Sequence, residues 1–414
     1  MRCLLNQTQK LLDRFSFRQV LTTCAVVSVL VFSVGSASAE GSVRLYGRLD
    51  LGFAYQRINV PDTAIPDDGL DGVSASEFGM RSGQETGSRW GIKGTEDLGG
   101  GTSINFVYEV GVTPSTGATG SRARVSTLGV RSQTWGTLDL GRRLSASSYA
   151  LDDVDPMGGS YDTASLQSSM GSYSIRYSSQ IWYKTPDFNG FSAAASYSFD
   201  TGKDTFYLVG NRPQEVDIPD DLAPGQSSFS TNNKNRALSL GMRYEKGPIL
   251  LGVSYDQIFP NSGTIAAIPK QSPKAWIFGG TYDLKVIKLA AAVGQQFDGL
   301  IQGGQALSRA GVNGGITNTQ GDILLFPGAR VNSWMVGATV PLAGGDVFGS
   351  VQQARPSGKV ATAGASESQT IGSIGYNYDF SKRTGAYIYY SFAHNYLFVT
   401  GSVQTVGAGL VHKF

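Results

Sequence analysis

The sequence predicts an all-β protein, an antiparallel transmembrane β-barrel of about 16 strands, and three observations carry that prediction. Stretches of alternating apolar and polar residues recur in pairs along the chain. A short turn joins the two strands of a pair, whereas a longer loop rich in Gly, Asp, Ser and Asn joins one pair to the next. An export leader precedes the first pair, and no later segment approaches the roughly 20 consecutive apolar residues of a spanning helix.

Residues 1–39 have the features of a cleavable export signal. Four basic residues precede an apolar run over 20–34, and Ala37-Ser38-Ala39 then supplies the small residues that a signal peptidase requires. The apolar run is too short to span a bilayer comfortably as an anchor. We therefore divide the chain into a signal peptide, 1–39, and a β-barrel domain, 40–414.

The composition outside the leader excludes several function classes. Both cysteines, Cys3 and Cys24, lie within the leader, so the exported chain carries no thiol, which suits an oxidising compartment. The leader carries four basic residues and one acidic residue, so the +2 of the full chain falls to about −1 without it. A near-neutral chain is not expected to bind nucleic acid. No histidine pair has ligand spacing, and the Gly-rich segments open turns rather than helices, so we expect no metal and no cofactor.

The first strand shows the alternation most clearly. Between Ser42 and Tyr55 the residues at odd positions are apolar or Gly, whereas the even positions begin Arg44, Tyr46, Arg48 and Asp50. A soluble sandwich buries its apolar face, but a membrane barrel turns that face to lipid and keeps the polar face inside. The same alternation predicts strands at 42–55, 88–96, 102–112, 122–132, 136–143, 174–184, 190–199, 236–246, 248–257, 273–283, 286–296, 329–341, 345–354, 368–380, 383–395 and 402–414.

The connections between these strands alternate in length. One set consists of tight turns, such as 97–101 and 186–189. The other set is long, with the longest loops at 56–87, 144–173, 200–235 and 297–328. Long loops without secondary structure count against a compact soluble domain, but they are expected at the outer rim of a membrane barrel. The chain also ends in an aromatic residue, Phe414, as the closing strands of such barrels typically do.

Four segments carry a family resemblance that covers about residues 42–414. They resemble the general diffusion porins of Gram-negative outer membranes, particularly the β-proteobacterial and neisserial-type porins. These segments are Leu45-Tyr46-Gly47-Arg48-Leu49-Asp50, 88–101 with its core from Gly91 to Gly101, Gly136-Thr137-Leu138-Asp139-Leu140-Gly141-Arg142, and His412-Lys413-Phe414. The resemblance implies short periplasmic turns, long extracellular loops, three chains per assembly, and a water-filled pore that the third long loop narrows by folding inward.

The resemblance also implies which residues surround the narrowing. In such porins, basic residues on the barrel wall face acidic residues on the inserted loop. The matching wall positions are Arg48, Arg89 and Arg124, with Arg176 as a less closely matching fourth. The opposing acids should come from loop 144–173, namely Asp152, Asp153, Asp155 and Asp162, of which Asp155 and Asp162 are the first choices to reach the constriction. Strand alternation further predicts lumen-facing side chains at Arg44, Tyr46, Asp50, Lys93 and Glu109.

The resulting expectation is passive diffusion of ions and small hydrophilic solutes through a homotrimer embedded in outer-membrane lipid. An enzyme is disfavoured because the two histidines, His394 and His412, lie toward opposite ends of the barrel and cannot share a site. A substrate-specific channel for a sugar or an organic anion remains the alternative, since aromatic side chains such as Tyr46 could line a path. Net charge does not decide between anion and cation selectivity.

Overall fold

The structure, a computed structural model, describes residues 41–59, 74–201, 205–209, 213–217, 234–260, 271–301, 323–358, 367–398 and 400–414. The predicted signal peptide lies outside these residues. In the part of the chain that is described, no helix has the length and apolar character needed to cross a membrane. The strands are β1 Ser42–Asn59, β2 Ser74–Ser82, β3 Arg89–Gly99, β4 Thr102–Thr113, β5 Ala118–Thr119, β6 Val125–Ser132, β7 Gly136–Leu144, β8 Arg176–Lys184, β9 Phe191–Asp200, β10 Thr205–Val209, β11 Pro213–Asp217, β12 Arg236–Lys246, β13 Ile249–Phe259, β14 Lys274–Asp283, β15 Lys288–Ile301, β16 Ile323–Leu342, β17 Gly345–Gly358, β18 Gln369–Asp379, β19 Thr384–His394 and β20 Ser402–Lys413. The helical segments are α1 Ala146–Leu151 and the 3₁₀ turns Asp162–Ala164, Leu166–Ser168 and Tyr396–Phe398.

Sixteen strands close into one antiparallel barrel, which confirms the predicted fold class. Successive wall strands pair along the chain, and β1 pairs with β20 to complete the ring. Of the other four strands, β2 continues the wall strand to which β3 belongs, and β5, β10 and β11 are additions to the wall. β2 pairs with the second half of β1, β5 pairs with the end of β4, and β10 and β11 form a hairpin whose first strand runs parallel to β16.

The two ends of the barrel chain meet at the short-turn rim. The backbone N–H groups of Gly47 and Phe414 each donate to the carbonyl oxygen of the other residue, both at 3.0 Å. A Cβ on Gly47 would lie 2.3 Å from the Phe414 ring, so only glycine leaves room for the terminal aromatic side chain. The apolar C-terminal residue is thereby held against the first strand.

The outer face of the wall is apolar. Large hydrophobic side chains such as Phe53, Phe278 and Leu410 are exposed there. Exposed aromatic residues also gather at the short-turn rim, at Trp135, Phe188, Tyr282, Phe380 and Phe414. An apolar band edged by aromatic side chains is the surface that a bilayer and its headgroup layer require. Of the alternating side chains in each wall strand, the apolar ones therefore face lipid and the polar ones face the lumen.

The buried apolar core lies inside the barrel, between the third long loop and part of the wall. Loop residues including Leu151, Val154 and Met170 pack against wall residues including Ile277 and Met335. A second cluster joins Met157, Tyr161 and Ala164 of the loop to Phe348, Tyr387, Tyr389 and Val411 of the wall. Buried apolar contacts thus hold the loop against the wall, and the loop is not suspended in the lumen.

The prediction of a long loop over 56–87 is wrong at both ends. β1 continues to Asn59, and Ser74–Ser82 forms β2, which pairs with β1 from Leu51↔Ser82 to Asn59↔Ser74. β3 pairs with the first half of β1, from Ser42↔Thr95 to Arg48↔Arg89. β2 and β3 are therefore two halves of one wall strand, separated by an irregular segment at 83–88. The sequence prediction captured only the second half.

Candidate pore constriction

The third loop, residues 145–175, connects β7 to β8 by way of the inside of the barrel. At its start, α1 packs on the wall at β12 and β13, where the Ser147 side chain contacts Ser239 Oγ at 3.0 Å and donates to Asp256 Oδ2 at 2.5 Å. Farther on, the Thr163 hydroxyl lies 2.8 Å from that of Ser391 on β19. The loop therefore follows the inner wall across more than half of the barrel and narrows the bore.

Glycines on successive wall strands make room for this path. A Cβ on Gly241 of β12 would lie 2.3 Å from the carbonyl oxygen of Ala146, and one on Gly252 of β13 would lie 2.2 Å from that of Ala150. Similar close approaches occur at Gly279 on β14, opposite Val154, and at Gly337 on β16, opposite Pro156. Any side chain at these positions would displace the loop, so the glycines form a track on which the loop lies.

Asp155 is the internal anchor of the loop and does not reach the pore. Its buried carboxylate accepts hydrogen bonds from the backbone N–H groups of Met157, Gly159 and Leu166 at 2.9 to 3.0 Å and from the Tyr173 hydroxyl at 3.0 Å. Burial raises the pKa of Asp155, although these donors oppose that effect. The expectation that Asp155 faces the constriction is thus wrong, because the loop's own donors enclose the carboxylate.

The wall opposite the loop carries a cluster of guanidinium groups around a single carboxylate. Arg89 Nε lies 3.4 Å from Glu109 Oε2, and Arg124 Nε lies 3.0 Å from Glu109 Oε1. Tyr46 donates its hydroxyl to the same carboxylate at 3.0 Å. Arg89 also donates from Nη1 to Thr86 Oγ1 and to the carbonyl oxygen of Gly87. Neighbouring strands β1, β3 and β4 therefore bring these predicted residues together.

Two further arginines extend this cluster along β7 and β8. Arg142 Nε donates to the carbonyl oxygen of Ala123 at 2.8 Å, and Arg142 Nη1 donates to Ser178 Oγ at 2.9 Å. Arg142 also approaches the carbonyl oxygen of Arg176, at 3.4 Å, so the two residues are adjacent. The strand alternation did not single out Arg142, because it forms one of two consecutive arginines with Arg143.

A cavity of about 640 Å³ separates the arginine wall from the third loop. Arg89, Arg124 and Arg176 line one side of it. Asp152, Asp153 and Asp162 of the loop line the other side, with a polar Gly and Ser backbone between them. Opposite charges thus face each other across a space large enough for water and small solutes, where they create a field transverse to the pore.

The three loop acids in the cavity differ in how far they are already paired. Asp162 forms an ion pair with Arg81 at 2.9 Å, and Asp153 forms one with Arg243 at 2.6 Å. Asp152 is exposed to the lumen, but it lies deep inside the barrel. Desolvation by the surrounding protein, together with the neighbouring Asp153 carboxylate, raises the pKa of Asp152 to about 7.

The remaining predicted lumen residues are spread along β1 and β3. Arg48 lies beside Arg89 in the strand register, at the end of the β1–β3 pairing. Arg44 lies beside Lys93, nearer the short-turn rim, and the Lys93 ammonium lies 4.9 Å from the centroid of the Tyr46 ring. Asp50 is fully buried rather than open to the lumen, because the segment at 83–88 and Tyr387 cover it. The prediction that Asp50 faces the lumen is wrong in that respect.

Sequence reasoning missed three arginines and one segment of this region. Arg81 and Arg243 neutralise loop acids, Arg142 extends the basic cluster, and residues 83–88 project inward between β2 and β3. Arg243 alternates with apolar neighbours on β12, so strand parity could have placed it in the lumen. Nothing in the sequence pattern distinguishes 83–88 from an ordinary turn.

The fold and this site together define a class of protein. A closed barrel with an apolar outer band, and with a charged bore narrowed by an inserted loop, is the architecture of an outer-membrane diffusion channel.

The comparisons with known proteins agree with this class. A model of the Gram-negative porin family matches residues 25–396. An outer membrane porin protein of Bordetella pertussis is 34% identical over 410 residues, which is 95% of this chain and 99% of the relative. The chain belongs to the Gram-negative porin family, and it is an outer-membrane channel for diffusion rather than an enzyme.

Two solved structures share the fold at lower identity. The anion-selective porin from Comamonas acidovorans has a TM-score of 0.62 at 22% identity, covering 91% of this chain and 100% of that one. The trimer form of in-vitro folded OmpT, an outer membrane protein of Vibrio cholerae, has a TM-score of 0.54 at 14% identity, covering 90% and 99%. The structural neighbours of this chain thus include an outer membrane protein in a trimer form.

Proposed function

We propose that this porin conducts ions and small hydrophilic solutes passively, that it favours anions, and that Arg89, Arg124 and Arg176 form its selectivity filter opposite Asp152. The observation that carries the proposal is the imbalance of charge around the 640 Å³ cavity. The wall arginines share one carboxylate, that of Glu109, whereas Arg81 and Arg243 already neutralise two of the three loop acids that line the cavity.

The physical effect of this imbalance is a cationic narrowing. Six guanidinium groups surround the site, those of Arg81, Arg89, Arg124, Arg142, Arg176 and Arg243, against the five carboxylates of Glu109, Asp152, Asp153, Asp162 and Glu245. Fixed charge of one sign in a narrow aqueous passage raises the local concentration of the opposite ion. Anions should therefore enter the narrowing more readily than cations of the same size.

Reversal potentials under a salt gradient across a planar bilayer test this proposal. Replacing Arg89, Arg124 and Arg176 together with Gln should shift the permeability ratio toward cations by about tenfold, since each charge acts on a passing ion with about the thermal energy. The control is Arg57→Gln, which removes one arginine charge from an exposed, outward-facing position on β1. The proposal fails if folded protein gives no conductance steps, or if the triple variant and the control have the same selectivity.

The alternative of a sugar-specific channel receives less support from the lumen. Such channels need exposed aromatic rings along the path. Tyr161, Tyr387 and Tyr389 cluster inside the barrel, but each is at most 4% exposed because they pack under the third loop. Permeation that saturates with a sugar at low concentration, and resists neutralisation of the arginines, would favour this alternative instead.

We also propose that the chain works as a homotrimer. The apolar outer band can pack against a second barrel as readily as against lipid, and a structural neighbour is recorded in a trimer form. Chemical cross-linking of the protein in native membranes should give a ladder that ends at three chains. A ladder that stops at one chain would exclude the trimer.

A further inference from the structure

The segment between β2 and β3 is an inward bulge of unusual size. β1 passes from pairing with Ser82 at Leu51 to pairing with Arg89 at Arg48, so only two β1 residues lie opposite the six residues 83–88. An ordinary β-bulge sets two residues against one. The four additional residues leave the wall, and six of the seven residues from 83 to 89 line the 640 Å³ cavity.

Asp50 fixes both ends of this bulge to the wall. Its carbonyl oxygen accepts from the backbone N–H of Gly83 and from the Ser88 hydroxyl, both at 3.0 Å, and its own N–H donates to Ser88 Oγ at 2.9 Å. Its carboxylate accepts from the backbone N–H of Thr86 at 2.8 Å and from the Tyr387 hydroxyl at 2.6 Å. The bulge is thus a built structure with a defined position in the lumen.

The bulge also joins the third loop. The backbone N–H of Tyr161 donates to the carbonyl oxygen of Gln84 at 2.8 Å, and the Arg81–Asp162 ion pair lies beside this bond. Tyr161 and Asp162 both have positive φ, of 65° and 54°, which is costly for residues other than glycine. The two residues with strained backbone conformations are thus the ones that contact the bulge. The two inserted segments therefore form one continuous rim around the narrowing.

Glu85 lies at the turn of the bulge, next to residues that line the arginine cavity. It does not line that cavity, unlike its neighbours Gln84 and Thr86, and its side chain is half-buried. The charges that act on it are those of Arg48 and Lys413, which attract it, and of Asp50 and Asp379, which repel it. Lys413 lies beside Arg48 in the register of β1 and β20, near the short-turn rim. Glu85 thus interacts with Arg48, which lies at the short-turn end of the basic wall, beside Arg89 in the β1–β3 register.

We propose that the 83–88 bulge is a second constriction element of the pore, and that Glu85 is a selectivity-determining residue that offsets the charge of Arg48 on the side nearer the short turns. This inference rests on the proposed function, because it divides the predicted basic wall into two parts. Arg89, Arg124 and Arg176 attract anions at the narrowing, whereas Arg48 contributes little net charge while Glu85 is ionised. Glu85 consequently limits the anion preference of the whole channel.

The direct test is the anion-to-cation permeability ratio of Glu85→Gln. One charge at about 7 Å in water acts on an ion with about the thermal energy, so its removal should raise the ratio about two- to threefold. The matched control is Glu77→Gln, which removes the same charge from β2 at a position about 17 Å along the strand from Ser82, where the bulge begins. This control should leave the ratio nearly unchanged, and heat-resistant migration in detergent gels should show that all variants fold.

Chemical restoration of the charge makes the test independent of folding. The chain from residue 41 onward has no cysteine, so Glu85→Cys introduces a single thiol. Modification of that thiol in an open channel with a negatively charged methanethiosulfonate should return the ratio to the wild-type value. A positively charged reagent should raise the ratio further. Failure of both reagents to change the current would show that position 85 is not in the ion path.

The outcomes separate this inference from the proposed function. If the triple arginine variant shifts selectivity but Glu85→Gln and its control do not differ, the role of Glu85 is wrong and the filter stands. If neither the triple variant nor Glu85→Gln changes the ratio, the filter itself is wrong. Equal shifts for Glu85→Gln and Glu77→Gln would show that only the total charge of the lumen matters.

Discussion

The inner surface of this barrel has two halves that differ in exposure: the third loop covers one half, and the other is open to the aqueous lumen. Strands β12 to β19 are covered by the third loop, so small and polar wall residues such as Gly252, Ser239 and Gln352 are buried there. Strands β3 to β8 are left uncovered near the narrowing, and Arg89 and Arg124 reach into water. Both halves have the same alternation of apolar and polar residues in the sequence. The role of a lumen-facing residue therefore depends on what lies over it.

The two halves also differ in how their polar groups find hydrogen-bond partners. On the covered half, side-chain amides satisfy loop carbonyl groups, as Gln352 Nε2 does for Ala164 and Ser165 at 2.9 and 3.0 Å. On the open half, charged groups need no complete set of partners, because water completes their solvation. The covered half therefore positions the loop, and the open half selects the ions.

The largest effect is expected from disturbing the covered half. Gly252→Ala adds a methyl group 2.2 Å from the carbonyl oxygen of Ala150, which forces α1 away from the wall and costs about 1–3 kcal/mol of docking free energy. The narrowing should widen, so single-channel conductance and the size limit for uncharged polymers should increase. Gly372→Ala is the control, because nothing lies within 4 Å of its added methyl group. Equal conductance of the two variants would contradict the glycine track.

A second large effect is expected from Asp155→Asn. Asn has only one accepting oxygen, so it cannot accept from Met157 on one side and from Gly159 and Leu166 on the other, and the loop should lose about 3 kcal/mol of stability. Limited proteolysis of the folded barrel should then cut within 145–175. Asp153→Asn serves as the control, since its partner Arg243 holds it at an exposed ion pair worth about 0–1 kcal/mol. Protection equal to the wild type would show that Asp155 is not the anchor.

A moderate effect on ion selectivity is expected from a change of pH, through Asp152 of the third loop, which faces the arginines of the open half. The pKa of Asp152 is raised to about 7, so this carboxylate is ionised above neutral pH and protonated below it. Loss of its negative charge should raise the anion preference about twofold as pH falls through 7. Reversal potentials across that range measure the change. Asp152→Asn should have a flatter profile at the higher anion preference, and an unchanged profile in this variant would assign the titration to another group.

The smallest effect is expected from Tyr46→Phe on the open half. This change removes the hydroxyl that donates to Glu109 at 3.0 Å but leaves Arg89 and Arg124 beside the carboxylate. One hydrogen bond of about 1 kcal/mol is lost, and no formal charge changes. The permeability ratio should therefore stay close to the wild-type value. A shift as large as that of the triple arginine variant would mean that Tyr46 itself holds the filter in place.

The alternation of apolar and polar residues was sufficient to predict the strands of the barrel wall, but it did not predict β2 or the irregular segment between β2 and β3. Alternation and turn spacing gave the number of barrel strands, because each wall strand has its own lipid-facing residues. Ser74–Ser82 was missed because only Phe78 and Met80 mark an apolar face there. The strand conformation of Ser74–Ser82 depends instead on its pairing with the long β1 strand, whose residues lie in another part of the chain.

Strand alternation allowed us to predict the site residues that lie on the barrel wall. It could not predict the orientation of the loop residues, which depends on how the loop packs on the wall. Arg89 and Glu109 lie on strands and Arg124 directly precedes β6, so alternation and resemblance placed them on the inner face. Asp152 and Asp155 lie three residues apart in one loop, and yet one faces water and the other is enclosed by backbone donors. Only the path of the loop over the glycine track determines which carboxylate is left facing the arginines.

The meeting of Gly47 and Phe414 determines the order in which this protein can be assembled. The first and the last strands of the barrel are separated by nearly the whole chain, so their pairing is the contact with the greatest loop-closure cost. Until β20 has paired with β1, the sheet has two open edges that can pair with other chains. The contact between Gly47 and Phe414 therefore belongs to the step that removes these edges and, with them, a route to aggregation.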